Sequence, residues 1–277
     1  MTPSEEREFW ARAERDLAGP IDYTMPHSAR VWNCLLGGKD YYEADKLAAE
    51  ECGARFPVMA GTVRRLRAFT ARSVRFLAGE AGIRQVLDIG VGLPFRDPVH
   101  EVAQGAVPEC RVVYADNDPL VVTFGQALLT SPPPGRSDTV NADLNDPAAV
   151  LDAAERAGLD FTRPVAILLM SVLGHIGDPA RDDDQAARSV VAALTSALPP
   201  GGWLAAGDLA GPSPGLRDAM AAYNATGAAP YHVRSPFQLA RFLEDLDLAG
   251  PVLAPDLGQQ AGPGWLRPVW GGLGRKR

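Results

Sequence analysis

Hydrophobic and polar positions divide the chain into two textures that meet near residue 80. Before it, the segment is polar and reads as helical, and no strand-like run occurs ahead of residue 85. Glu5 to Leu17 is mostly charged. His27 to Leu36 is a short apolar stretch stopped by Gly37-Gly38. Glu43 to Cys52 predicts another helix. Val58 to Ala78 is the longest helical pattern, with Val63, Leu66, Phe69, Thr70, Val74 and Leu77 three to four positions apart.

After residue 80 short apolar runs alternate with helical ones. The runs are Gln85–Ile89, Arg111–Ala115, a weaker Ser137–Val140, Pro164–Met170 and Gly202–Ala206. Between them lie Pro98–Gly105, Pro119–Thr130, Pro147–Ala157 and Asp183–Leu198. The last carries Ala187, Val190, Val191, Leu194 and Leu198 on one face. Strands apolar on both faces and separated by helices predict a parallel sheet covered on both sides, an α/β fold. Beyond residue 207, Pro214–Tyr223 and Ser235–Leu246 read as helices, the second opened by the cap Ser235-Pro236. Two late strands are expected near Leu248–Leu253 and Leu266–Gly272, around a loop at Pro255–Pro263. The pattern divides the chain into a helical lobe, 1–80, and an α/β domain, 81–277.

Composition narrows the classes. The 277 residues are 46% hydrophobic and 22% charged, ordinary values for a globular chain. A net charge of −7 supplies no basic face for a nucleic acid. The longest apolar run is too short to cross a bilayer. Cys34, Cys52 and Cys110 form neither a CxxC pair nor a disulfide framework, and the charged start lacks the apolar core of a signal peptide. A cytoplasmic protein is expected. His27, His100, His175 and His232 show no metal-ligand spacing, so no metal is expected.

The chemistry gathers at the ends of the predicted strands, where open parallel sheets bind ligands. Asp88 closes the first run, and Gly90 and Gly92 let the following turn approach a ligand closely. A dinucleotide cradle needs a third glycine opening straight into a helix. Here Phe95 stands in its place, after Pro94, and the helix is expected to begin only at Asp97-Pro98. The carboxylate of Asp88 would also repel a phosphate. Both features favour a nucleoside carrying an amine over a dinucleotide. Asp116, with Asn117 beside it, ends the second strand, where a carboxylate accepts both hydroxyls of a ribose. Asp143 ends the third, where a carboxylate accepts from an exocyclic amine, with Leu144 adding apolar contact and a backbone N–H. Asp118-Pro119 and Asp146-Pro147 read as helix caps. A single aspartate at a strand end is usually a turn former; three in order, one βα unit apart, point to a site.

On these residues the chain resembles class I S-adenosylmethionine-dependent methyltransferases. Asp88-x-Gly90-x-Gly92 is similar to their first motif, Asp116 to their ribose-binding acid and Asp143 to their adenine-contacting acid. More narrowly, it resembles a bacterial family called S-adenosyl methyltransferase, formerly a domain of unknown function. That resemblance rests on Ala29-Arg-Val-Trp-Asn-Cys-Leu-Leu-Gly-Gly-Lys-Asp-Tyr41, Asp88-Ile-Gly-Val-Gly-Leu-Pro94, His100-Glu-Val-Ala-Gln104, Val113-Tyr-Ala-Asp-Asn-Asp-Pro119 and Gly271-Gly-Leu-Gly-Arg-Lys276. It spans nearly the whole chain. Val91 departs from a Thr frequent in the family, Phe95 from a polar residue, and Tyr41-Tyr42 from Asn-Phe. The resemblance implies a Rossmann-like sheet of seven strands, the last antiparallel, with S-adenosylmethionine as cofactor.

Methyl transfer from a sulfonium needs positioning, and a base only where the acceptor must lose a proton. The fourth strand runs into Met170-Ser-Val-Leu-Gly-His175, which places Ser171 against the cofactor and His175 as base or acceptor-orienting group, against the simpler reading of a structural histidine. His100 bonds the glycine loop or only packs. Asp208 serves the acceptor or ends its strand. A helix cap explains one glycine of Gly37-Gly38-Lys39-Asp40, not the run, so this segment is expected to fold over the cofactor as a lid. Arg30, Gly38, Lys39, Tyr41 and Tyr42 would then be its lid or substrate residues. Arg64, Arg65, Arg67, Arg72 and Arg75 are expected on a solvated helix face. The sequence thus points to a methyltransferase acting on a small molecule. The alternative is a non-catalytic regulatory protein that binds the same cofactor; a nicotinamide oxidoreductase is disfavoured by Phe95 and Asp88.

Overall fold

The computed structural model describes residues 21–177, 184–211, 213–249 and 268–277. The charged stretch Glu5–Leu17 and the loop at Pro255–Pro263 lie outside them. Among the described residues, three helices precede the sheet: α1 (Ser28–Leu36), α2 (Glu43–Arg55) and α3 (Met59–Gly79). Gly37 stops α1 in the left-handed conformation, φ 91°, which a side chain would strain. On α3 the six positions picked out by periodicity are all buried.

The α/β part then runs β1 (Gln85–Ile89), α4 (Val99–Ala106), β2 (Arg111–Asp116), α5 (Pro119–Leu128), β3 (Arg136–Asn141), α6 (Pro147–Arg156), β4 (Ala166–Met170), α7 (Gln185–Ala197), β5 (Trp203–Leu209), α8 (Pro214–Asn224), α9 (Pro236–Ala240), β6 (Asp247–Leu248) and β7 (Val269–Arg275). The sheet order is β3-β2-β1-β4-β5-β7-β6. β1 to β5 are parallel, and β7 runs antiparallel between β5 and β6. This is the class I Rossmann-like arrangement.

β1 is buried along its length and is shielded from water on both faces. Leu87 and Ile89 join Val113, Ile167 and Leu169 on one face, under α6 and α7. Val86, Val112, Leu168 and Ala205 face the other way, against Phe69, Val74 and Leu77 of α3. A further core joins Val31, Cys52 and Met59 to Leu216 and Met220 of α8 and to Leu209 and Val269 of the sheet. The helices α1 to α3 therefore share their cores with the rest of the described chain. Gly271 of β7 is glycine because a Cβ there would run into the ring of Phe69.

Several elements differ from their sequence-based bounds. β5 continues to Leu209, past Ala206. The Ser235–Leu246 helix breaks into α9 and a 3-10 turn at Arg241–Leu243. Asp97 is not the cap of α4. It takes a left-handed conformation, φ 54°, and Pro98 holds the cap position without a side-chain hydrogen bond. Arg67 donates to the carbonyls of Arg96 and Asp97, at 3.3 and 2.9 Å, and so belongs to this turn. Its neighbours Arg64, Arg65, Arg72 and Arg75 are solvated as expected. Asp118 and Asp146 do cap their helices, accepting from the backbone N–H of Leu120 and Ala149.

Candidate functional site

Parallel strands end together, so the turns after β1 to β4 meet at one edge of the sheet. A cavity of about 230 Å³ opens there. Of the expected cofactor residues, Gly90, Gly92, Asp116, Asn117, Asp143, Leu144 and Ser171 line it, as does His175. Asp88 does not. It lies inside β1, in register with Tyr114 and Leu168, beneath the glycine turn. Burial pushes its carboxyl up to about 6, against the opposing pull of Arg67.

Backbone geometry forms this edge. Gly90 and Gly92 have φ of 73° and 65°. A Cβ on Gly90 would strike Val172, whereas one on Gly92 would project into open space, where a ligand can approach the bare backbone. The Gly92 N–H donates to Asp116 Oδ2 at 3.1 Å, and the Asp118 N–H donates to Asp116 Oδ1 at 3.0 Å. These bonds aim the carboxylate and tie the glycine turn to β2. Burial raises the Asp116 pKa, and the two backbone donors oppose that rise. Asp143 is exposed, its Oδ1 accepting from the N–H and the amide of Asn145 at 2.9 and 3.0 Å. Ser171 has a positive φ of 60°, uncommon for a residue with a side chain and concentrated at functional sites.

His175 sits in a 3-10 turn, Leu173–His175, after β4. Its Nδ1 lies 2.8 Å from the Pro230 carbonyl. A carbonyl only accepts, so Nδ1 carries the hydrogen and Nε2 is left as the acceptor. Burial lowers the imidazole pKa, which favours the neutral ring. The segment Pro230–Arg234 straps this turn. The His232 N–H donates to the Gly174 carbonyl at 2.6 Å, and Arg234 donates to Leu173 and Ile176, both at 2.6 Å. Asp208, fully buried in β5, accepts from the Gly174 N–H and from the Tyr231 hydroxyl. It therefore supports the turn that carries His175 and does not line the cavity. His100 bonds the Tyr114 hydroxyl through its ring and backbone nitrogens, a packing role away from the glycine turn.

The expected lid requires correction. Arg30, Gly38, Lys39, Tyr41 and Tyr42 do not line the cavity. Arg30 is buried against Asp45 at 2.8 Å and donates to the carbonyls of Asp22 and Met25. Lys39 and Tyr42 are exposed. The first turn of α1 covers the site instead, through His27, Ser28, Ala29 and Trp32. His27 Nδ1 lies 3.2 Å from Asp118 Oδ2, and neither atom has an aligned hydrogen bond. Trp32 stacks on Tyr223 and meets Tyr231 edge-on, with ring centroids 6.0 and 5.5 Å apart. His27, Trp32, Tyr231 and Arg234 carry no site role in the sequence reading. Trp32 and His27 flank or lie in the motif at Ala29–Tyr41, but only the fold turns them to the cavity.

A second cavity, of about 90 Å³, lies on the other side of Gly90 and Ser171, between α1 and α3. Ala29, Trp32, Gly90, Gly92 and Ser171 line both. Two buried donors without a hydrogen-bond partner lie here, Trp32 Nε1 and Asn33 Nδ2, on residues lining one or both cavities. Buried polar groups are seldom left unsatisfied, so these atoms fit a polar ligand such as a nucleoside with a charged arm. Among the described residues, no group of three His, Cys, Asp or Glu is placed to hold a metal, and no helix is long and apolar enough to cross a membrane.

The fold and this edge define a class I methyltransferase scaffold with a nucleoside-sized site. The family model described as S-adenosyl methyltransferase matches residues 14–276, and the chain belongs to that family. It is similar to a solved DUF574 family protein from Streptomyces avermitilis MA-4680, at 37% identity over 92% of this chain and 99% of that one, with a TM-score of 0.83. A solved protein from Thermobifida fusca YX is 36% identical over 92% of this chain and 97% of that one, with a TM-score of 0.81. Magnesium protoporphyrin IX methyltransferase from Synechocystis PCC 6803, solved with S-adenosylhomocysteine, is 14% identical over 89% of this chain and 93% of that one. Its TM-score of 0.50 shows the shared fold. Among curated proteins none matches the chain. The cofactor of the family is S-adenosylmethionine.

Proposed function

We propose that this protein transfers the methyl group of S-adenosylmethionine to a small-molecule acceptor in the cytoplasm. One observation carries the reading: the glycine turn, Asp116, Asp143, Ser171 and His175, from four successive strand ends, line a single cavity. In this reading Asp116 accepts from the ribose hydroxyls, Asn117 flanks it, and Asp143 and Leu144 meet the adenine. Asp88 supports the glycine turn from below. The bound cofactor supplies a methyl group already activated by its sulfonium. The protein's part is to hold that group in line with the acceptor and to keep water away. The described helices of the N-terminal lobe cover the site of the α/β domain, with Trp32 and the first turn of α1 as their inner wall. His175, neutral and with Nε2 unengaged by Pro230, takes the acceptor proton where one must leave. The strap that fixes the His175 turn favours a catalytic protein over a regulatory one, because cofactor binding alone needs no oriented base.

Two measurements test this. A thermal-shift titration should respond to S-adenosylmethionine and S-adenosylhomocysteine and not to NAD. Incubation with methyl-labelled cofactor and a fractionated extract should move label into small molecules. Label found only in protein or nucleic acid would refute the acceptor class, and binding without transfer would favour the regulatory alternative.

A further inference from the structure

We infer that Asn33 binds the carboxylate at the methionine end of the cofactor, and that Gly38 is glycine so that the Asn33 amide can occupy its place. The inference rests on the adenosine placement proposed above. Asn33 is 2% exposed. Its Oδ1 accepts from the Asp40 N–H at 3.0 Å, which fixes the amide so that Nδ2 is the free donor. That Nδ2 is buried without a partner, on a residue lining the smaller cavity. Trp32 Nε1, a second buried donor with none, belongs to the same wall, and Arg67 adds a cationic side chain.

The two cavities differ in charge. The larger carries Asp116, Asp118 and Asp143, whereas no carboxylate lines the smaller. An anionic group is therefore repelled from one and met by unpaired donors in the other. Because Trp32, Gly90 and Ser171 border both, one ligand with its nucleoside in the first reaches the second. The cofactor has such a shape, and its carboxylate matches the donors.

This also explains the glycine pair that a helix cap left half explained. Gly37 meets a backbone requirement, its positive φ. Gly38 has no such φ; a Cβ on it would overlap the Oδ1, Cγ and Nδ2 of Asn33. The glycine-rich turn thus positions a binding residue and is not itself a lid.

Calorimetric titration with two ligands tests this: S-adenosylhomocysteine, which has the carboxylate, and 5′-methylthioadenosine, the same nucleoside thioether without the amino-acid end. Asn33→Asp keeps the acceptor for Asp40 and replaces the donor by a repelling oxygen. It should weaken S-adenosylhomocysteine by roughly 10- to 100-fold and leave methylthioadenosine unchanged. Gly38→Ala should shift the same ratio in the same direction, although its side chain adds no charge. Unchanged affinity for both ligands, or an equal loss of both, would overturn the inference. If the wild-type protein binds neither ligand, the adenosine placement itself fails, which the titration of the parent protein reveals before any variant is made.

Discussion

The Tyr231 hydroxyl donates to the carboxylate of Asp208, a buried residue of β5. Asp208 also accepts from the Gly174 N–H at 3.1 Å and from the Leu209 N–H at 2.8 Å. The Tyr231 ring meets His175 edge-on, with centroids 4.9 Å apart, and Trp32 in the same manner. One side chain thus links a buried carboxylate, the candidate base and the inner wall of the lobe.

Tyr231→Phe keeps both ring contacts and removes only the hydroxyl. The buried carboxylate loses one of three donors, so the variant should be less stable by about 1–3 kcal/mol. Urea denaturation at pH 8 measures it. A loss below about 0.5 kcal/mol would show that the hydroxyl anchors nothing.

Two buried carboxyls give the ligand-free protein a characteristic response to pH. Burial pushes Asp88 and Asp208 up to about 6 each. Between the ordinary value of 3.8 and about 6, the folded state holds more protons on these groups than the unfolded chain does. Their contribution to stability is therefore fully present below pH 4 and is lost as pH rises through about 6. For Asp88 the shift corresponds to at most about 3 kcal/mol. Asp88→Asn should flatten this part of the profile and gain stability relative to wild type at pH 8, provided cofactor is absent. Denaturation curves at pH 5 and pH 8 decide; an unchanged difference between the two pH values would remove Asp88 from the account.

Asp116→Ala should reduce affinity for S-adenosylhomocysteine on the order of 100-fold or more. It removes charge-assisted bonds to the ligand and frees the N–H of Gly92 from its anchor at 3.1 Å. Ligand at 100 times its wild-type dissociation constant stabilises the parent protein by about 2.7 kcal/mol. That stabilisation should nearly vanish in the variant while its far-UV circular dichroism stays unchanged. Retained affinity would mean that the ribose is held elsewhere.

How much of this was legible depends on how local each feature is. The β1 to β3 ends were readable because each run closes near an aspartate or glycine, and parallel topology brings such ends together, beside the Ser171 turn that follows β4. Asp118 and Asp146 were readable as caps for the same local reason. The lid was misplaced because Gly38 and Lys39 attract notice in sequence, whereas Gly38 is required by the side chain of Asn33, five residues upstream, and Lys39 is exposed. Asp208 was noticed, but its role was not, since Tyr231 and Gly174 reach it from 23 and 34 residues away. No periodicity marks Tyr231 or Arg234, which lie in a loop and act through backbone carbonyls and a buried acid. Asp97 failed as a cap because Arg67, 30 residues earlier, holds its carbonyl in a turn of a different shape.

The remaining prediction concerns His175. A general base works only when unprotonated, and burial lowers this imidazole below the usual 6.5. The ring should thus stay competent at mildly acidic pH, and transfer to an acceptor that must lose a proton should fall only below pH 6.5, the ordinary histidine value. His175→Ala should lower kcat by about 10²- to 10⁴-fold, remove that acid limb and leave S-adenosylhomocysteine affinity unchanged. The contact with the Pro230 carbonyl at 2.8 Å makes a structural role the competing account. A structural role predicts a loss of stability and of ligand affinity together, with the pH profile unmoved. Measuring kcat against pH alongside ligand affinity therefore separates the two, and a variant that keeps the wild-type acid limb would exclude His175 as the base.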